Sequence, residues 1–246
     1  MNVMSLLRTF IILFFIGFVL PFRAFTQDSI ADSIFYRQSL ENSVQSYLKA
    51  VGNNTRLFNG SEYTMSYHGV TGSPFFASDS FQYGSVDYDG IKYNNVKMAY
   101  DLVGDELIIK AYHDLNLRLV TEKVNSFSFS NHEFVRIMPD SSTSKLKTGF
   151  YEILYKGTVT VLAKRKKQVE SAFKAEDPYK FSEYEYDYVK KGDIYYPVDS
   201  KKSLIAVFGD RKDEIKKYVR KNKIKLKKDR GDEIVKTAQY YVQLKK

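Results

Sequence analysis

Ten cations fall within the stretch 212–230: Lys212, Lys216, Lys217, Arg220, Lys221, Lys223, Lys225, Lys227, Lys228 and Arg230. Ammonium and guanidinium groups at this density bind anions, lysine as a point charge and arginine through paired hydrogen bonds. From Lys201 to the end there are 16 Lys and Arg against 6 Asp and Glu, a net of +10. The whole chain carries +9, so everything before Lys201 nets −1. The basicity therefore belongs to one segment. Lys212 through Lys228 form the candidate surface for an anionic partner, and the competing reading is a charged helix that keeps its outer face wet.

Other residue types offer less. The three histidines, His68, His113 and His132, lack the spacing of a metal or catalytic pair. Asp87-Tyr88-Asp89-Gly90 opens like a calcium loop, but Val96 holds the position of the closing glutamate, and Asp-Gly is itself the preferred pair of a type I′ hairpin turn. The acids Asp101/Asp105/Glu106 and Glu183/Glu185/Asp187 could supply the paired carboxylates of a glycosidase. Alternating along a strand, however, they are expected on a solvent face. No nucleophile elbow, Walker motif or dinucleotide glycine pattern occurs, so no catalytic residue, cofactor or metal is assigned. Tyr63, Tyr67, Tyr83, Tyr88 and Tyr93 could build a binding face, but with no tryptophan in the chain packing explains most of its aromatics.

Compartment is read from the N-terminus. Arg8 precedes the apolar run Phe10–Leu20, and Ala24-Phe25-Thr26 offers small residues before a cut between Thr26 and Gln27. This is the pattern of a secretory signal peptide over 1–26; the run is shorter than the roughly 20 apolar residues of a spanning helix. No later segment is apolar enough to span. Cysteine is absent, which excludes disulfides, thiol catalysis and cysteine-held metals. Together these features point to the periplasm or outer surface of a Gram-negative bacterium. Nucleic acid is then not the expected partner; the natural anions are anionic lipid, lipopolysaccharide or acidic glycan, and an envelope protein is the other expected partner.

The elements that would position these residues centre on Phe81–Tyr112. Val96, Met98, Tyr100 and Leu102 alternate with Lys97, Ala99 and Asp101 as in a half-buried strand. Asp89-Gly90 predicts a hairpin, and a second turn precedes Glu106–Tyr112. A helix is predicted over Ser29–Val51, loops over Thr55–Ser80, and strands over Leu117–Glu122, Ser126–Ser130, Glu133–Met138, Gly149–Lys156, Thr158–Lys164, Phe181–Val189 and Ile194–Val198. Lys164–Lys167 reads as a solvated strand end. Short apolar Ser203–Phe208, a helix Arg211–Asn222 capped by Asp210, an edge strand or extended linker at Ile224–Leu226 and a last helix Asp232–Leu244 follow. The expected fold is α+β: an antiparallel, curved β-sheet or half-barrel of about ten strands with an N-terminal helix and C-terminal helices. The organisation is a signal peptide (1–26) and one domain (27–246), comprising an N-terminal helix (27–54), a β-rich core (55–200) and a basic helical tail (201–246).

Leu57-Phe58-Asn59-Gly60-Ser61-Glu62-Tyr63, Gly84-Ser85-Val86-Asp87-Tyr88-Asp89-Gly90 with Tyr93-Asn94-Asn95-Val96, Tyr100-Asp101-Leu102 with Asp105-Glu106-Leu107, and the ending Lys201-Lys202-Ser203-Leu204 through Tyr240-Tyr241 resemble uncharacterised exported proteins common in Bacteroidetes. The resemblance implies compartment and class, with no activity or ligand. Three functions stay open: a non-enzymatic envelope protein docking through its basic helices, a carrier sheltering a lipid-like ligand in a curved sheet, and an envelope-polymer hydrolase using Asp or Glu.

Overall fold

The computed structural model describes residues 29–52, 55–139, 146–171, 178–227 and 230–245. The expected signal peptide with its Thr26–Gln27 cut, and Lys228 of the basic segment, lie outside the described residues.

Helix α1 runs over Ser29–Val51, the predicted interval. Residues Tyr47–Lys246 form a compact unit distinct from the chain before it, and the rest of the fold is that of this unit. Its strands are β1 (Ser61–Glu62), β2 (Val70–Thr71), β3 (Gln82–Tyr88), β4 (Ile91–Asp101), β5 (Glu106–Lys110), β6 (Asn116–Arg118), β7 (Val124–Phe129), β8 (His132–Ile137), β9 (Gly149–Lys156), β10 (Val159–Ser171), β11 (Tyr179–Lys191) and β12 (Ile194–Val198). Three helices follow, α2 (Lys201–Val207), α3 (Lys212–Lys221) and α4 (Arg230–Gln243).

The expected sheet is corrected on three counts. It has twelve strands rather than about ten, it is mixed rather than antiparallel, and it is neither curved nor closed into a half-barrel. The order β1-β6-β5-β4-β3-β7-β8-β9-β10-β11-β12 is linear, with β1 and β12 at opposite ends. The extra strands β1 and β2 come from the Thr55–Ser80 stretch expected as loop, where two-residue pairings leave no alternation to read. β2 pairs parallel with the start of β11, Val70 opposite Tyr179. At the β10–β12 end closure is unnecessary because the C-terminal helices cover the apolar face.

Two large cores bury the sheet's apolar residues. In the first, Phe127 and Phe134 stack at 4.8 Å, and Tyr100 meets them edge-on at 5.2 and 5.1 Å. Phe76, Phe129 and Phe150 complete the packing, and all six rings are buried. These rings pack against one another where a ligand sheltered at this point of the sheet would have to sit. In the second core, Val159, Val161, Val189 and Val198 of β10–β12 pack with Leu204 and Val207 of α2, Ile215 and Val219 of α3, and Ile234, Ala238 and Tyr241 of α4. The basic tail is thus half of a core.

The hairpin β3–β4 turns at Asp89-Gly90, with φ of 55° and 77° as a type I′ turn requires. Helix α2 begins in a capping box: Ser200 Oγ accepts from Ser203 N while Ser203 Oγ accepts from Ser200 N. The cap expected from Asp210 is not made, since Arg211 precedes α3 without a side-chain cap. Asp210 instead accepts from Lys191 Nζ at 2.6 Å and Tyr241 Oη at 2.8 Å, with Lys245 Nζ at 3.1 Å. These bonds, led by that from Lys191, hold its carboxyl well below the ordinary aspartate range, and they lock the end of β11 to α4.

Candidate functional site

Helix α3 is split lengthwise. Ile215 and Val219 are buried in the second core, and Tyr218 stacks on Tyr240 at 4.1 Å. The opposite side presents Lys212, Lys216, Lys217, Arg220 and Lys221, all exposed. The chain leaves α3 through a left-handed Lys223 (φ 52°), with Lys223 N donating to Arg220 O and Ile224 N to Val219 O. That bond pair is a Schellman turn. It buries Ile224 and leaves Lys223, Lys225 and Lys227 exposed. Ile224–Leu226 makes no strand, which removes the edge-strand reading of this stretch. None of the eight described cations from Lys212 to Lys227 has an acidic partner among the described residues. Lys201, Lys216, Arg220, Lys223 and Lys225 line a groove of about 450 Å³ with Ile205 and Val219 beneath them.

A second constellation runs across β8–β11. His132 Nδ1 donates to Glu152 Oε1. Arg165 donates through Nε to Glu152 Oε2 at 2.6 Å and through Nη1 to Glu185 Oε2. Asp187 follows Glu185 on the same strand face, and Arg230 at the start of α4 donates through Nε to Asp187 Oδ2 at 2.8 Å and through Nη2 to Val198 O at 3.3 Å. Asp187 Oδ1 is buried with no hydrogen-bond donor. Burial pushes the Asp187 carboxyl up to about 7; the adjacent Glu185 adds to this, and Arg230 opposes it. Beside this chain, Arg165, Glu183, Glu185, Lys227, Arg230 and Asp232 border a cleft of about 480 Å³.

The solvent face expected for Glu183/Glu185/Asp187 is corrected in part: Glu183 is exposed, Glu185 is half-buried, and Asp187 is buried, as is Glu152. Lys164–Lys167 is no solvated strand end either, because β10 continues to Ser171. Lys164 donates to Asp105 at 2.6 Å and Lys167 to the carbonyls of Ser73 and Phe75 at 3.0 and 2.6 Å. Burial lowers the Lys164 ammonium, and Asp105 opposes that. A signal for this pairing lay in the sequence. Arg165 and Lys167 stand in register with Glu185 and Glu183 across the β10–β11 hairpin, and basic residues facing alternating acids mark adjacent strands.

The other candidates are structural. Asp101 accepts from Tyr63 Oη at 2.8 Å and from Val103 N at 2.8 Å; Glu106 pairs with Arg118 at 3.1 Å. Tyr63, Tyr88 and Tyr93 are buried, leaving Tyr83 and part of Tyr67 for any aromatic platform. His68 and His113 are exposed and far in sequence from His132. Among the described residues no group of three or more His, Cys, Asp or Glu could hold a metal ion. Likewise no helix among them is long and apolar enough to cross a membrane. Glu185 and Asp187 do converge beside a cleft, but each is held by an arginine. That arrangement fits a fixed ion chain better than a carboxylate pair free to act on a glycosidic bond.

No protein-family model, curated protein or solved structure matches the chain.

Proposed function

We propose that the protein is an exported, non-enzymatic component of the cell envelope that docks on an anionic lipid surface through the outer face of α3 and the segment after it. The observation that carries this is the division of α3. Its apolar side is consumed by the protein's own core, while eight exposed cations from Lys212 to Lys227 stand without an acidic partner among the described residues. Asp213 and Glu214 occupy the first turn of α3, and Glu214 pairs with Arg211. Beyond them every charged residue through Lys227 is a cation, whereas a helix that needed only to stay wet would be served by mixed charge, which costs less self-repulsion. Each Lys or Arg near a negatively charged bilayer contributes about 1 kcal/mol to binding. The resemblance to exported Bacteroidetes proteins and the N-terminal leader pattern support placement in the periplasm or on the outer surface.

The test is co-sedimentation of the full chain with phosphatidylglycerol-containing vesicles across a salt series, beside a Lys212→Gln, Lys217→Gln, Lys221→Gln variant. Neutral vesicles report the contribution of the apolar Phe10–Leu20 stretch, which both chains share. Binding that fades with salt and weakens in the variant is expected. Equal binding by both chains at low salt would exclude docking through this face. Export is checked by N-terminal sequencing of envelope-fraction protein, expected to begin at Gln27.

A further inference from the structure

The basic face is not uniform. Four of its cations, Lys216, Arg220, Lys223 and Lys225, converge with Lys201 of α2 on one groove, whose lining among the described residues includes no acid. The floor is apolar, formed by half-buried Ile205 and buried Val219. Two elements were needed to assemble it, since Lys201 opens α2 while Lys216 and Arg220 lie one turn apart on α3. The fifth cation comes at a conformational cost. Lys223 occupies the left-handed position of the Schellman turn, where glycine is the usual residue. An unfavourable backbone held at a groove-lining position is a pointer to a site.

The geometry points to a headgroup seat for a lipid bearing a phosphate monoester: the five cations surround the phosphate, and Ile205 and Val219 take the first apolar atoms behind it. A monoester carries close to two negative charges at neutral pH and three terminal oxygens. It can engage the Arg220 fork and several ammonium groups together, whereas a diester offers one charge and two free oxygens. The groove's excess of cations over any single-charge ligand favours the dianion. This rests on the docking reading above and narrows its ligand.

The test uses the full chain with phosphatidylcholine vesicles containing either phosphatidate or phosphatidylglycerol, adjusted to equal surface potential. A roughly fivefold or greater preference for phosphatidate is expected, the equivalent of about one further charge contact. Arg220→Gln and Lys216→Gln should each abolish most of that preference. Lys236→Gln on α4 removes a cation outside the groove and should leave the preference intact, and circular dichroism verifies that each variant folds. Equal binding to both vesicles overturns the headgroup seat while leaving surface docking standing. Absence of salt-sensitive binding to either overturns both. A preference that survives Arg220→Gln and Lys216→Gln together would place the phosphate elsewhere.

Discussion

Arg230 Nε donates to Asp187 Oδ2 at 2.8 Å, joining the first residue of α4 to β11 at a point where the carboxyl is fully buried. The Asp187 carboxyl is nonetheless pushed up to about 7, because burial and the neighbouring Glu185 outweigh the single arginine. An unfolded aspartate titrates near 3.9. Between those values the folded chain retains a proton that the unfolded chain has lost. The resulting stabilisation is complete below about pH 3.9 and is lost as pH rises to about 7, at up to about 1.4 kcal/mol per pH unit. Asp187→Asn fixes the neutral form. Urea unfolding at a series of pH values should show the parent losing stability relative to this variant from pH 4 to 7, with a constant difference above. Parallel curves would mean that the pair carries no proton in the fold.

Phe134 is buried at the centre of the first core, against Phe76, Tyr100, Phe127 and Phe129. Stacked and edge-on rings leave little room for neighbours to collapse into a vacated volume. Phe134→Ala should therefore cost about 3–5 kcal/mol, measured by denaturant midpoint at constant slope. A loss below about 1 kcal/mol would show a core loose enough to refill, and would reopen the question of a cavity there.

Much of this fold was legible because alternation and turn chemistry agree over short distances. The interval Ser29–Val51, the hairpin at Asp89-Gly90 and the strands Gly149–Lys156 and Ile194–Val198 form as the pattern predicts. What could not be read is set by partners distant in sequence. Nothing local to Val70-Thr71 says that it will pair with Tyr179-Lys180, and nothing local to Asp187 says that Arg230 will arrive to bury it. Charge was a misleading guide to exposure for the same reason. Lys164 and Asp187 are polar by type, and each is taken out of water by a partner that only the tertiary fold supplies. The cations of α3 kept their predicted exposure because no acid among the described residues comes to meet them.

Gly84 lies where β3 crosses β7 too closely for a side chain. A Cβ there would sit 2.1 Å from Ser128 O and 2.9 Å from Phe129 Cβ. Ser128 O is backbone of the adjacent strand and cannot swing aside. Gly84→Ala should cost about 1–3 kcal/mol through forced separation of the two strands, and exchange of amide hydrogens in β3 and β7 should accelerate ahead of the rest of the sheet. Unchanged protection in those strands would mean the pair can shift without penalty.

Lys223 allows fold and binding to be set against each other. Its left-handed backbone costs an L residue about 1–2 kcal/mol, whereas glycine pays no such penalty but loses about 0.5–1 kcal/mol more chain entropy on folding. Lys223→Gly should thus stabilise the protein by about 0.5–1 kcal/mol, the difference between those two effects, provided the Schellman bonds to Arg220 O and Val219 O persist. The same change removes one of the five groove cations, so phosphatidate vesicle binding should weaken by roughly fivefold. A rise in thermal midpoint together with weaker binding is the outcome expected of a residue kept at a strained position for its charge. A stabilised variant that binds as tightly as the parent would detach Lys223 from the groove, and an unstable one would mean that its aliphatic stem packs against the turn and offsets the strain.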